Sequence, residues 1–265
     1  MEKQIIGRGL LAGLVAGLLA FVWAKVMIEP IIDRAIEFED GTAEAHEMLE
    51  HAAGGHSHGE EGGELFTRAV QSGLGLGVGI VLFAMAMAAL AAVVFCVLYA
   101  RTALSARSLA VLVSAGMLVS LWIVPGLKYP PNPPATSIDE TIRERAFLYL
   151  LMVVISGALL VAAIVFGHKI AEKSGAWNGV LAGAGAYIVT VGIAILALPT
   201  IDEVPGPITD DSGTIIFEGF PAEELWDFRV YALGTQLIMW VTIAVVFSAL
   251  VHKLLDSREK QALDA

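Results

Sequence analysis

Apolar positions along the chain gather into six long runs, at 7-28, 73-99, 109-127, 147-167, 179-198 and 230-251. About 20 helical residues cross roughly 30 Å of hydrocarbon, and each run is long enough to do so. Inside lipid a backbone must satisfy its own hydrogen bonds, so helices are the default for such runs. The pattern predicts an all-α, polytopic integral membrane protein. Its six transmembrane helices form a single transmembrane domain over 1-265. Three long polar stretches, 29-72, 128-146 and 199-229, alternate with short turns. The first run opens on basic residues, as a signal peptide would. Trp23 and Lys25 stand where cleavage would need small residues, so the run is read as a retained span.

Composition agrees with the pattern. The chain is 57% hydrophobic and only 16% charged, with a mean hydropathy of +0.73. Soluble domains are about a quarter charged. One cysteine, Cys96, lies within an apolar run, which leaves no disulfide framework and no cysteine-type zinc site. Charge sets the orientation. With both termini cytoplasmic, the short inner segments hold nine of the 16 basic residues and only five of the 27 acids. Basic residues in short flanks mark the cytoplasmic side. The expected location is the cell membrane, with an acidic outer face that concentrates cations electrostatically.

The first outer loop offers candidate metal ligands. Glu29 to His51 has the spacing of an amphipathic helix, with Ile31, Ile32, Ala35, Ile36 and Phe38 as its apolar positions. His46, Glu47, Glu50, His51, His56 and His58 follow within HEMLEH and HAAGGHSHGEEGGE. Imidazole and carboxylate together suit Zn, Ni, Co or Cu. On a helix His46 pairs with Glu50 and Glu47 with His51, each four apart. The two histidines are five apart, which fails the zinc-protease motif. A histidine-rich tract among glycines suits capture or buffering of a metal, against the alternative of an inert polar loop.

The segment from Trp122 to Arg145, WIVPGLKYPPNPPATSIDETIRER, is the second distinctive stretch. Proline fixes φ and lacks an N–H, so the helix is expected to break at Pro125-Gly126. A stiff proline-rich connector follows. Ser137 and Glu140 are spaced as a capping box for the next helix. This connector reads either as a rigid exit from the span or as a lid over an entrance between helices.

Within the spans, Gly9, Gly13 and Gly17 repeat every four residues. So do Gly73-Gly77, Gly75-Gly79 and Gly179-Gly183. Such faces let helices approach closely. Lys25 and Glu29 are spaced to pair or snorkel near the outer end of the first span. Gln236 lies two turns beyond Arg229 on one face, and a polar group at that depth should line a path or bond a neighbouring helix. A weak parallel repeat of hairpins is suggested by IVPGLKYPPNPP after the third span and ILALPTIDEVPGP after the fifth. In the last outer loop, Asp210 to Phe220 has the turn and β-branched residues of a short hairpin. Asp202, Glu203, Asp210 and Asp211 could attract cations there.

The proline block, together with WDFRVYALGTQLIMW from Trp226 to Trp240, resembles the CbtA family, described as a proposed cobalt transporter subunit. Trp122, Pro125, Lys128, Tyr129, Pro130, Pro131, Glu140 and Arg143 fall in the first matching block. Arg229, Gly234, Gln236 and Trp240 fall in the second. The resemblance implies a subunit of a divalent-metal uptake system, with cobalt or another divalent transition metal as the ion carried and no tightly bound cofactor. It also implies a small one-span CbtB-like partner besides the lipid bilayer. The alternative is a membrane protein that captures or senses metal, or scaffolds a transporter, without conducting. The chain has no phosphate-binding loop, no nucleophile–base arrangement and no basic patch for nucleic acid. It is therefore expected not to be an enzyme.

Overall fold

Small residues decide how the spans pack. The computed structural model describes residues 1–52, 67–136, 139–201 and 203–263. Seven helices are α1 (Glu2–Met27), α2 (Glu29–Ala52), α3 (Arg68–Tyr99), α4 (Ala106–Lys128), α5 (Asp139–Ser174), α6 (Ala176–Ala197) and α7 (Ala222–Leu263). All but α2 are long and apolar enough to cross a membrane. Each overlaps one apolar run.

The backbones of α1 and α3 nearly touch. A Cβ at Gly13 would stand 2.5 Å from Met85 Cα and 2.7 Å from the Ala84 carbonyl oxygen. Gly9 and Gly17 meet Ala88, Ala92 and Val81 as closely. Without a hydrophobic drive between helices in lipid, this close approach supplies the packing. The other face of α1 packs on α7, and α7 packs on α4. These four helices enclose the main core, where Phe95 meets Phe247 edge-on at 5.5 Å and Met239, Trp240 and Ile243 are buried.

The α5–α6 hairpin stands beside this four-helix bundle. Gly175, at φ +88°, makes the sharp turn between the two helices, a conformation that suits glycine. Gly167, Gly179 and Gly183 bring their backbones together, and Ser156 Oγ lies 2.7 Å from Tyr187 Oη. The two candidate repeat units therefore pack differently: α5 and α6 lie mainly on each other, whereas α3 lies mainly on α1 and α4 on α7.

One end of the molecule is capped. There α2 and a two-stranded antiparallel hairpin, β1 (Ile208–Thr209) and β2 (Ile215–Phe217), cover the helix ends. Phe38 of α2 packs edge-on against Phe220 and tilted against Phe217, with Gly41 beneath the Phe217 ring. The hairpin turn is closed by Asp210. Its Oδ1 accepts from the Ser212 and Thr214 N–H groups and the Ser212 hydroxyl, and Gly213 takes φ +83°. The Ser212 hydroxyl foremost, and then these N–H groups, hold the Asp210 carboxyl below its ordinary range. A side chain spent on its own turn in this way is a structural group.

Candidate functional site at the capped end

The α4 helix does not stop at Pro125. It runs on to Lys128, because a π-turn over Val119–Ile123 absorbs the proline. Pro125 has no N–H to give the Leu121 carbonyl one helical turn earlier. That carbonyl instead accepts from the Tyr149 hydroxyl of α5 at 3.2 Å. The expected break at Pro125-Gly126 is thus corrected: the proline sits inside a helix whose freed acceptor has a partner from another helix. Such π-turns recur at functional positions. Tyr149→Phe should lower stability by about 1 kcal/mol, the value of one ordinary hydrogen bond. A lower unfolding midpoint in detergent, with intact expression, is the measurement.

The connector after Lys128 is held from three sides. Tyr129, itself buried, donates its hydroxyl to the Pro199 carbonyl at 2.8 Å. Burial first, and the nearby Glu144 charge second, push that phenol above its ordinary pKa. Lys128 reaches Thr200 Oγ1 at 3.1 Å. Arg145 donates to the Pro130 carbonyl and places Nη1 2.5 Å from Glu203 Oε2. That last contact is a charge pair without hydrogen-bond alignment, since Glu203 Oε2 has no hydrogen-bond partner among the described residues. The other carboxylate oxygen accepts from Thr141 at 3.0 Å. From α7, Arg229 donates to Asn132 Oδ1 at 2.9 Å and, at longer range, to the Pro131 carbonyl. Ala135 is held at φ +71°, a left-handed turn that costs a non-glycine residue about 1–2 kcal/mol. Thr136, buried, donates back to the Pro133 carbonyl.

The sequence candidates are distributed as follows. Trp122 is half-buried against the main core, and Pro125 is buried. Lys128, Tyr129 and Arg229 are brought together around the connector. Arg143 is exposed, and the arginine that ties the connector is Arg145, two residues on and across the helix. Arg145 shares a face with Tyr149 and with buried Leu148 and Met152, so the phase of that apolar stripe is the signal that distinguishes the two arginines. Glu203, expected to attract cations, is buried under Arg145 instead. The Ser137 capping position and Asp202 lie outside the described residues, as does the Glu140 side chain. Gln236 is half-buried on the Arg229 face with no hydrogen-bond partner among the described residues. Between them Gly234 accommodates the Trp23 ring, whose Nε1 donates to the Tyr231 carbonyl at 3.0 Å, and Trp240 is buried in the core.

A cleft of about 430 Å³ opens beside the connector, lined by Glu29, Ile32, Arg68, Gln71, Gly79 and Pro134 among others. Lys25 and Glu29, spaced to pair or snorkel, do not pair. Glu29 is buried and pairs with Arg68, which also holds Asp33 at 2.8 Å, while Lys25 is exposed. Nor do all the glycine repeats serve packing. Gly77 meets the Phe21 ring, but Gly73 and Gly79 face open space.

On α2, His51 Nε2 lies 3.7 Å from Glu47 Oε1, while His46 Nδ1 is 2.9 Å from the Thr42 carbonyl. Glu50 lies on the same helix. His56 and His58 lie outside the described residues. Among the described residues no three His, Cys, Asp or Glu side chains group closely enough to hold a metal ion.

Residues 2–252 match the family model described as "Probable cobalt transporter subunit (CbtA)". No curated protein matches the chain, and no solved structure does. A match over nearly the whole length makes this multi-pass membrane protein a member of the CbtA family of probable cobalt transporter subunits.

Proposed function

We propose that the chain is the membrane-embedded, non-catalytic subunit of a divalent-metal uptake system, with cobalt as the ion carried. The capped end faces outward and both termini lie in the cytoplasm, as the distribution of basic residues favours. The His/Glu tract from His46 to His58 collects the ion, and a small one-span CbtB-like subunit completes the pathway. The observation that carries this reading is the concentration of polar structure at one end of an apolar six-span bundle, with Gln236 as the polar group leading inward from it. Around the connector the described cations Lys128, Arg145 and Arg229 outnumber the described acids Glu144 and Glu203, so a cation is disfavoured there. In this reading the connector is a strut that keeps the entrance shaped, and the ion passes beside it.

The test is uptake of radiolabelled cobalt by metal-transport-deficient cells, with and without the small partner and against nickel and zinc. Saturable uptake that needs this chain is expected. Gln236→Leu should reduce it at least tenfold, while deletion of 46–64 should raise the half-saturating concentration and spare the maximal rate. The second reading, metal capture without conduction, is supported by the lack, among the described residues, of any group of three His, Cys, Asp or Glu side chains that could hold an ion along a path. It predicts the reverse: loss on deleting 46–64 and no effect at Gln236.

A further inference from the structure

We propose that the α5–α6 hairpin is a rigid arm that swings about the capped end, opening and closing a crevice against the four-helix bundle at the end where the chain termini lie. The inference rests on the helices crossing a bilayer, and not on the identity of the ion.

The arm is stiff within itself. A Cβ at Gly179 would lie 2.5 Å from Ala171 Cβ and 2.6 Å from the Gly167 carbonyl oxygen, so the two backbones are in direct contact. The bond between Ser156 and Tyr187 joins them again at mid-length. Bending α5 against α6 would break both.

Its attachment is one-sided. The polar ties described between the arm and the bundle all sit toward the capped end: Arg145 to Pro130, Tyr129 to Pro199, Lys128 to Thr200 and Tyr149 to Leu121. A small apolar core joins the same region, with Val124 and Tyr129 against Leu148, Met152 and Val191. Farther along, the contact thins. Leu160 approaches Gly116, where a Cβ would lie 3.3 Å from it. The Ala106–Leu118 part of α4 packs mainly on α7, and α6 packs appreciably on α5 alone.

Physics favours motion at such a joint. Parting two apolar faces in a membrane loses packing but little hydrophobic energy, because lipid tails replace the partner. The hinge also has a yielding element at the right level: the π-turn Val119–Ile123, where the helical hydrogen-bond ladder is already interrupted. From Tyr149 to Ser174 the arm is about 38 Å long at 1.5 Å per residue, so a tilt of about 10° moves its far end by about 6–7 Å. Hinged movement of one packed unit against another is a common form of switching.

Pulsed electron–electron distance measurements on the full chain in lipid nanodiscs test the proposal without added metal. Cys96→Ala removes the native thiol. One label pair, Arg107→Cys with Trp177→Cys, spans the far end of the crevice, and both sites are exposed. The other, Leu127→Cys with Leu196→Cys, spans the joint, and both sites are exposed there too. The far pair should show a broad or two-peaked distribution extending over at least about 6 Å, from the same lever arithmetic, and the joint pair a single narrow peak. Adding Tyr149→Phe, which frees the joint, should broaden the far pair further. A far pair as narrow as the joint pair would overturn the proposal, and so would equal broadening of both, which means a loose arm without a pivot.

Discussion

Gly13→Leu is expected to prevent assembly of the bundle, and Gly79→Leu to leave it folded. The two glycines belong to repeats of the same spacing, yet their surroundings are opposite. At Gly13 the first added carbon would already overlap the Met85 backbone and the Ala84 carbonyl. Side chains cannot yield there, since the obstacle is main chain, and α1 must move off α3 along its length. Overpacking that side-chain shifts relieve costs about 1–3 kcal/mol. A forced helix separation should reach or exceed the top of that range, with Gly13→Ala between the two. At Gly79 nothing lies within 4 Å of an added Cβ. Leucine there also gains up to about 1 kcal/mol in helix propensity over glycine. Size-exclusion profiles and unfolding midpoints in detergent decide the matter. A Gly13→Leu protein with an unchanged midpoint would show that α1 and α3 are not packed this way.

Glu203→Ala should be the most damaging change in the loops. It strips the charge partner from Arg145 at a site where the glutamate side chain is only 2% exposed. Breaking a buried pair by removing one member costs about 3–5 kcal/mol, because the remaining charge is stranded. Arg145 keeps 20% exposure and its bond to the Pro130 carbonyl, so the low end of that range is expected here. The double variant Arg145→Leu with Glu203→Leu should recover most of the loss, since apolar replacement of a whole buried pair is often neutral. Arg229→Ala, which removes hydrogen bonds without stranding a charge, should cost less, about 1.5–3 kcal/mol. A double-mutant cycle on unfolding midpoints checks the coupling. Simple additivity of Arg145→Leu and Glu203→Leu would mean that the pair is not formed.

Which of these contacts a sequence can announce follows from their chemistry. The six spans are legible because length and apolarity alone satisfy the bilayer. The α2 helix and the Asp210 turn are legible because their signals are local: apolar spacing in one, Asp, Ser and Gly in order in the other. The course of α4 through Pro125 is not, because the freed Leu121 carbonyl is satisfied from Tyr149, 28 residues away in an adjoining helix. The choice of Arg145 over Arg143 depends on helix phase, which the alternation of buried Leu148 and Met152 does carry. Most of the connector's ties end on main-chain carbonyls, those of Pro130, Pro131 and Pro199, and a carbonyl leaves no mark in a sequence. Glu29 illustrates the same limit for charges. Its nearest helical spacing points to Lys25, and its actual partner, Arg68, arrives only when the chain returns after the histidine tract.

The α2 helix has a further consequence in terms of ionic screening. It runs without interruption from Glu29 at the cleft past His46 and His51. Seventeen residues at 1.5 Å each separate Glu29 from His46 by about 26 Å. The screening length in physiological salt is about 8 Å, so roughly three such lengths of electrolyte lie between them. On the proposed reading, the charge of a metal held at His46 or His51 would not be felt at the cleft, and the cleft would not pull on it. Capture and entry would then be separate events joined by diffusion, and lowering the ionic strength to lengthen the reach of the field is the lever that would couple them.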